Sequence, residues 1–307
     1  MIFRILGSAA GGGVPQWNCA CPNCTAARGG SAPRRTQSGA AVSADGERWL
    51  LLNCSPDVAT HIEAFAPLQP RAVRGTPIDG IAFTDANVDH LGGLATLRQT
   101  GDHRFVVRSS AIVRDIAAVQ TAFAPFARAP HRWEAAASGR WCEPIDAFDV
   151  TGRALRVRGF SVPGTTPGYD GRRAEPGAVF AYEIAAPGDD ATILFAPVFS
   201  AIDDVLLQAI ERAAVAVLDG TFYSDDELIV KELVPKTARQ LGHQPMGGSE
   251  GTLARLRPLL RPSKKTARRR IVFTHLNNSN PVLDPASQAA TEVLAAGAEI
   301  AYDGMVL

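Results

Sequence analysis

No run of apolar residues in this chain approaches the roughly 20 that a helix needs to cross a bilayer, so the sequence predicts no membrane span. The opening residues, Met1-Ile-Phe-Arg-Ile-Leu-Gly7, lack the apolar stretch and cleavage site of a signal peptide and read as a first strand, which predicts a cytoplasmic protein. Net charge is missing as well. Thirty-one Lys and Arg cancel thirty-one Asp and Glu, so the basic excess of nucleic-acid proteins is absent and no nucleic-acid partner is expected. The one basic run, Lys264–Lys265 with Arg268–Arg269–Arg270, reads as a solvated loop before an apolar strand. Low-complexity linkers and short-period repeats are also lacking. The expectation is a single domain over 1–307, near the upper limit for one core.

The apolar runs that are present are short and separated by turn signals. Ile2–Leu6, Trp49–Leu52, Ile81–Thr84, Phe105–Arg108, Leu155–Arg158, Val179–Ile184, Ile193–Ala196, Val215–Leu218, Ile271–Thr274 and Glu299–Tyr302 read as strands. Ile112–Phe123, Ala201–Ala213, Thr252–Leu260 and Pro285–Ala296 read as helices. Each half is strand-rich and then helical, a pattern compatible with duplicated halves. It predicts an α/β fold of layered sheets with helices packed outside.

Five cysteines is an odd number, and three of them fall within six residues: Cys19-Ala-Cys21-Pro-Asn-Cys24. In a reducing compartment such a cluster suggests a metal more than a disulfide. A tight loop at about 17–26 can wrap three thiolates around one zinc ion at about 2.3 Å. The spacing therefore predicts a structural zinc whose fourth ligand comes from elsewhere. Cys54 and Cys142 read as buried apolar residues. Gly11-Gly12-Gly13 is followed by neither lysine nor helix start, so it is no phosphate cradle; it reads as a turn that brings backbone close to another element.

The second cluster is Thr84-Asp85-Ala-Asn87-Val-Asp89-His90-Leu-Gly92-Gly93, directly after an apolar strand. Asp219 ends another strand, His275 a third, and His243 lies in the glycine-flanked loop Leu241-Gly-His-Gln-Pro-Met-Gly-Gly248. Polar residues at the C-terminal ends of buried strands are where α/β architectures place sites. Buried carboxylates without a partner cost several kcal/mol each, and a divalent cation shared between them is the simplest partner. His61, His103 and His131 have no such context and read as surface residues.

Together these segments resemble the metallo-β-lactamase superfamily, whose first motif, His-x-His-x-Asp-His, reads here as Asp85-x-Asn87-x-Asp89-His90. The superfamily's bridging aspartate resembles Asp219 and its final histidine His275, while the middle histidine is replaced within Ser161-Val-Pro-Gly164. The resemblance implies the αββα sandwich: two packed mixed sheets with helices outside. It also implies that the first of two metal sites has lost its imidazoles, leaving one ion at Asp89, His90, Asp219 and His275. The segments Gly7–Cys24, Arg35–Ser38, Leu218–Phe222 and Gly242–Ser249 are similar to one branch, the coenzyme pyrroloquinoline quinone (PQQ) synthesis protein B family.

That likeness implies an iron- and O2-dependent hydroxylation of the tyrosine ring of a glutamate–tyrosine PQQ precursor, peptide-bound or excised. Two imidazoles with one or two carboxylates are similar to the facial ligand set of non-haem Fe(II) oxygenases, a set that zinc can also occupy or that can be left empty. Under this reading His243 and Asp85 move protons or orient the phenol, and Arg34 or Arg35 pairs a substrate carboxylate. Asn278 stands near the place where a related branch completes its cysteine zinc. The alternatives are a carrier of PQQ or its precursor towards the periplasm and, by superfamily analogy alone, a two-metal hydrolase.

Overall fold

The computed structural model describes residues 1–142, 155–186, 188, 191–260 and 269–307. The first half builds a sheet from β1 (Ile2–Gly7), β2 (Gly39–Ser43), β3 (Trp49–Leu52), β4 (Ile78–Ala82), β5 (Val106–Ser109) and β6 (Arg132–Ala135), lying side by side in chain order. The second sheet holds β7 (Trp141–Cys142), β8 (Arg156–Val162), β9 (Val179–Ala185), β10 (Thr192–Ala196), β11 (Val215–Asp219), β12 (Arg270–Thr274) and β13 (Glu299–Ile300), again in order. In both sheets the early strands pair antiparallel and the later ones parallel, with helices in the crossovers. The halves repeat one plan.

Side-chain alternation sorts the core into layers. Phe3 and Ile5 of β1, Leu50 and Leu52 of β3, Val217 of β11 and Val272 of β12 meet between the sheets. Their neighbours face outward: Trp49 and Leu51 pack with Val58, Leu91, Val113 and Ile116 on one side. On the other side, Leu218, Ile271 and Phe273 pack with Leu206, Ile210, Leu256 and Val293. Strands buried on both faces read as continuous apolar runs, which is why they were visible in the sequence. The result is the metallo-β-lactamase sandwich, with helices α1 (Val58–Glu63), α2 (Ala111–Val119), α3 (Asp204–Arg212), α4 (Thr252–Leu260) and α5 (Gln288–Ala295) outside. Among the described residues no helix is long and apolar enough to cross a membrane.

Two expectations are corrected. His61 is buried, not on the surface; its Nε2 lies 2.9 Å from Thr36 Oγ1, a partner 25 residues away that local sequence does not reveal. Arg270 belongs to β12 rather than to a solvated loop, and both its Nε and Nη2 donate to Glu299 at 2.9 Å. Lys264, Lys265 and Arg268 lie outside the described residues, as does the side chain of Cys142. Cys54 is buried as expected.

Asp303 ties the end of the chain to its beginning. Its carboxylate accepts from the backbone N and Oγ of Ser8 at 2.9 and 2.7 Å, and from the backbone N and Oγ1 of Thr36 at 2.6 and 2.8 Å. Hydrogen bonds to a charged group contribute more than neutral ones, so Asp303→Ala is expected to cost about 3 kcal/mol in a urea titration. An unchanged midpoint would show that the loops are held by packing alone.

Candidate metal centre

Three parallel strands deliver their C-terminal loops to one end of the sandwich. β4 leads to Asp85, Asp89 and His90, β11 ends on Asp219, and β12 leads to His275. The approach of these loops demands small residues. A Cβ on Gly93 would lie 2.3 Å from Ser55 O and 2.5 Å from Cys54 Sγ, and one on Gly11 would lie 3.1 Å from Asp89 Oδ2. The glycine triplet is therefore a turn pressed against the acidic loop, as its sequence context predicts. His275 itself sits at φ 58°, a left-handed conformation that costs a non-glycine residue of order 1–3 kcal/mol and clusters at functional sites.

The hydrogen bonds fix which nitrogen each imidazole presents. Asp85 is wholly buried; its Oδ2 lies 2.6 Å from His90 Nδ1 and also accepts from Thr84 Oγ1 at 2.8 Å, while its Oδ1 accepts from Asn87 N at 2.9 Å. His90 Nδ1 is therefore committed to Asp85, and Nε2 is the nitrogen left to meet a metal. That Nε2 is buried with no hydrogen-bond partner. Thr221 Oγ1 donates to Asp219 Oδ1 at 2.6 Å, so it accepts from His275 Nδ1 at 2.8 Å. His275 Nε2 is thereby the nitrogen that faces the acidic loop, 3.3 Å from Asp89 Oδ2. Backing an imidazole in this way is how metal ligands are oriented.

His243 follows Gly242, whose φ of +92° turns the ring inward. Its Nδ1 lies 2.8 Å from Asp219 Oδ2, and its ring stacks on His275 with centroids 5.6 Å apart. Asp219 is saturated: Oδ2 also accepts from Phe199 N at 3.1 Å, and Oδ1 accepts from Thr221 N at 2.9 Å. The four expected ligands thus divide between two three-donor groups that share His275: Asp89, His90 and His275, and Asp219, His243 and His275. His243, expected outside the ligand set, joins the second group.

The charges call for a cation. Burial works against the charged His90 ring, yet Asp85 and Asp89 outweigh it and push its pKa up to about 9. Burial likewise works against ionised Asp85, Asp89 and Asp219, but the neighbouring imidazoles hold all three below the usual carboxylate range. Asp85 and Asp89 draw a proton onto His90, and a metal ion would answer the same negative charge. An orphaned ring nitrogen beside a second Nε2 and a carboxylate fits a metal of the imidazole–carboxylate class.

A cavity beside the cluster is lined by Gly11, Asp89, Thr166, Arg172, Phe222, His243, His275 and Asn277, among others. Asp85 does not reach it. The expectation that Asp85 handles substrate protons is corrected: it is locked behind His90 as that ring's partner. Arg34 and Arg35 do not line it either. Arg34 is exposed, and Arg35 donates to Ser8 Oγ at 2.8 Å and to Ala301 O as part of the Asp303 tie. The sequence offered no signal for Arg172, one of eight residues separating Gly164 from Arg173 in a loop without a strand pattern.

The cysteine cluster assembles as the spacing predicts, with Cys19, Cys21 and Cys24 converging on one point. Burial pushes the Cys24 thiol up to about 11, so a metal is what would hold it as thiolate. Asn278 caps the cluster: its amide Nδ2 lies 3.1, 3.6 and 3.4 Å from the sulfurs of Cys19, Cys21 and Cys24. A half-turn of that amide would set its oxygen in the same place, which suits a fourth ligand. Asn23 Nδ2 bridges the carbonyls of Asn278 and Asn280 at 2.9 Å each. Asn280 in turn donates to Gly220 O and Thr221 O at 2.8 and 3.1 Å. The segment His275–Asn280 thus serves both clusters.

Comparison with known proteins agrees with this picture. A family model described as the beta-lactamase superfamily domain matches residues 48–276. Coenzyme PQQ synthesis protein B of Pseudomonas aeruginosa strain UCBPP-PA14 is 39% identical, with 99% of each chain covered. Its counterpart from Methylobacillus flagellatus is 37% identical, also over 99% of each. The crystal structure of zinc-bound PqqB from Methylobacterium extorquens superposes with a TM-score of 0.89 at 35% identity, covering 100% of this chain and 99% of that one.

Proposed function

This chain belongs to the coenzyme PQQ synthesis protein B family of the beta-lactamase superfamily, and on that premise we propose that it acts in PQQ synthesis as an iron- and O2-dependent hydroxylase at a mononuclear centre. The substrate in this reading is the tyrosine ring of a small glutamate–tyrosine precursor. The observation that carries it is the unpartnered, buried His90 Nε2 facing the same space as His275 Nε2 and Asp89. Two imidazoles and one carboxylate with open positions are the ligand set of non-haem Fe(II) oxygenases.

His90, His275 and Asp89 would hold the ion. Bound there, ferrous iron supplies the oxygen and electron chemistry that side chains lack. Asp85 and Thr221 hold the two ligand rings in the required tautomer. His243, with Nδ1 turned to Asp219, offers its other nitrogen on the cavity side as a proton acceptor for a phenol. Phe222, edge-on to His243 at 5.6 Å between centroids, gives the ring an apolar wall.

Zinc binds such sites more tightly than ferrous iron, so protein as isolated is expected to hold zinc. The test is anaerobic reconstitution with Fe(II), metal analysis, and then O2 uptake with a glutamate–tyrosine substrate and an added reductant, which supplies the two electrons of a hydroxylation. A product heavier by one oxygen supports the proposal. PQQ binding that is indifferent to metal removal, without turnover, would replace it with the carrier reading. The second donor group of Asp219, His243 and His275 favours one other reading, a two-metal hydrolase. Two ions per cavity, with hydrolysis of a phosphodiester, would establish it.

A further inference from the structure

The loop after β8 reaches across the mouth of the cavity and is pegged at both sides. Tyr169 donates its hydroxyl to Ala86 O, on the wall that carries Asp85 and Asp89. Arg172 donates from Nη1 to Leu241 O at 3.0 Å, on the wall that carries His243. Between the pegs, Thr165, Thr166 and Arg172 line the same cavity as Asp89, His243 and His275. Two successive left-handed residues, Gly171 at φ 83° and Arg172 at φ 44°, set the direction in which the arginine leaves the backbone. A non-glycine residue held in that conformation is paid for by something around it.

Arg172 is the one Lys or Arg among the described residues that line this cavity. Among the described residues no carboxylate lies within ion-pair distance of it, although its sequence neighbour Arg173 pairs with Asp170 at 2.7 Å and with Glu175 at 3.3 Å. One N–H of the guanidinium is spent on Leu241 O, which steadies the group. The remaining donors form the planar fork that matches a carboxylate by two parallel hydrogen bonds.

We propose that Arg172 is the substrate-binding residue that reads a carboxylate, anchoring an amino-acid end of the substrate at the cavity mouth while the aromatic ring enters towards Asp89, His243 and His275. This rests on the function proposed above and narrows it. The substrate class is a phenol bearing a free carboxylate within reach of the ring, so an excised amino-acid-like compound is favoured over a tyrosine held in mid-chain by peptide bonds on both sides. It also moves the recognition role from Arg34 and Arg35, both of which lie away from the cavity, to a residue that faces it.

The test pairs two ligands with three proteins. Wild type, R172Q and R172K are loaded with the same redox-inert zinc. Each is titrated calorimetrically with a synthetic glutamate–tyrosine compound and with its carboxamide analogue. R172Q is expected to bind the carboxylate ligand about 10- to 100-fold more weakly, the range for losing charge-assisted hydrogen bonds. It is expected to bind the carboxamide as wild type does, and R172K, which keeps the charge but not the fork, to fall between. Metal content is expected to be equal in all three. Equal affinity of wild type and R172Q for the carboxylate ligand, or an equal loss towards both ligands, would overturn the assignment. O2 uptake by the iron-loaded wild type is measured alongside. A wild type that discriminates the ligands but consumes no O2 removes the hydroxylase reading and leaves Arg172 standing. One that turns over while R172Q keeps an unchanged KM removes Arg172 and leaves the hydroxylase.

Discussion

His90→Ala is expected to lower the affinity of the cavity for Fe(II) or Zn by more than about 100-fold and to take O2-dependent turnover to background. The size of the effect follows from the geometry behind the ring. Loss of an outer partner that merely orients a ligand costs about 10- to 100-fold in metal affinity, and in the proposed centre His90 is the ligand itself. Asp85→Ala supplies the graded comparison. It leaves His90 in place but frees Nδ1 from its 2.6 Å anchor, so it is expected to cost the 10- to 100-fold and no more. Metal content after equilibrium dialysis separates the two. If His90→Ala bound metal as wild type does, the ion would have to sit elsewhere and the centre described above would be wrong. Asp85 in the His90→Ala protein keeps its hydrogen bonds from Thr84 and Asn87, so the variant is expected to fold, and a thermal melt checks that.

The second large effect is expected at the cysteine cluster. Cys24 is fully buried and converges with Cys19 and Cys21 under the Asn278 amide. In small peptides structural zinc supplies on the order of 10–16 kcal/mol, because nothing else holds the fold. Here two packed sheets already do, so Cys24→Ser is expected to cost a smaller sum, about 3–5 kcal/mol, with loss of one zinc per chain. The loss should not stay local. Asn278 lies three residues beyond His275; Asn23 holds the carbonyls of Asn278 and Asn280, while Asn277 N and Asn280 Nδ2 tie the same segment to Gly220 and Thr221. Cys24→Ser is therefore also expected to weaken metal binding in the cavity, read by titrating a spectroscopic ion such as Co(II) at a temperature where the variant is still folded. Full zinc content and an unshifted melt in this variant would mean that the thiols hold no ion.

Much of this was legible in the sequence, and the exceptions share a cause. Strands such as Trp49–Leu52, and α4 (Thr252–Leu260) with both its ends, stand out because burial on both faces or along a helical stripe leaves a local trace. β2 leaves none: Gly39-Ala-Ala-Val-Ser43 is wholly buried but too small to register as an apolar run. The cysteine triplet and the Asp89–His90 pair announce themselves by spacing. Asp85 is conspicuous in the sequence, but nothing there says that its carboxylate faces His90 Nδ1 and not the cavity. His243 and Arg172 depend on left-handed turns at Gly242 and Gly171, and on partners far along the chain. The burial of His61 is hidden from the sequence for the same reason.

With Nδ1 turned to Thr221 and Nε2 to Asp89, the ring of His275 is spanned between the two halves of the molecule, one nitrogen for each. Asp219 governs that posture from behind, since it holds Thr221 with one oxygen and His243 with the other. A single carboxylate thus sets the attitude of two imidazoles, and a change there would release both rings together.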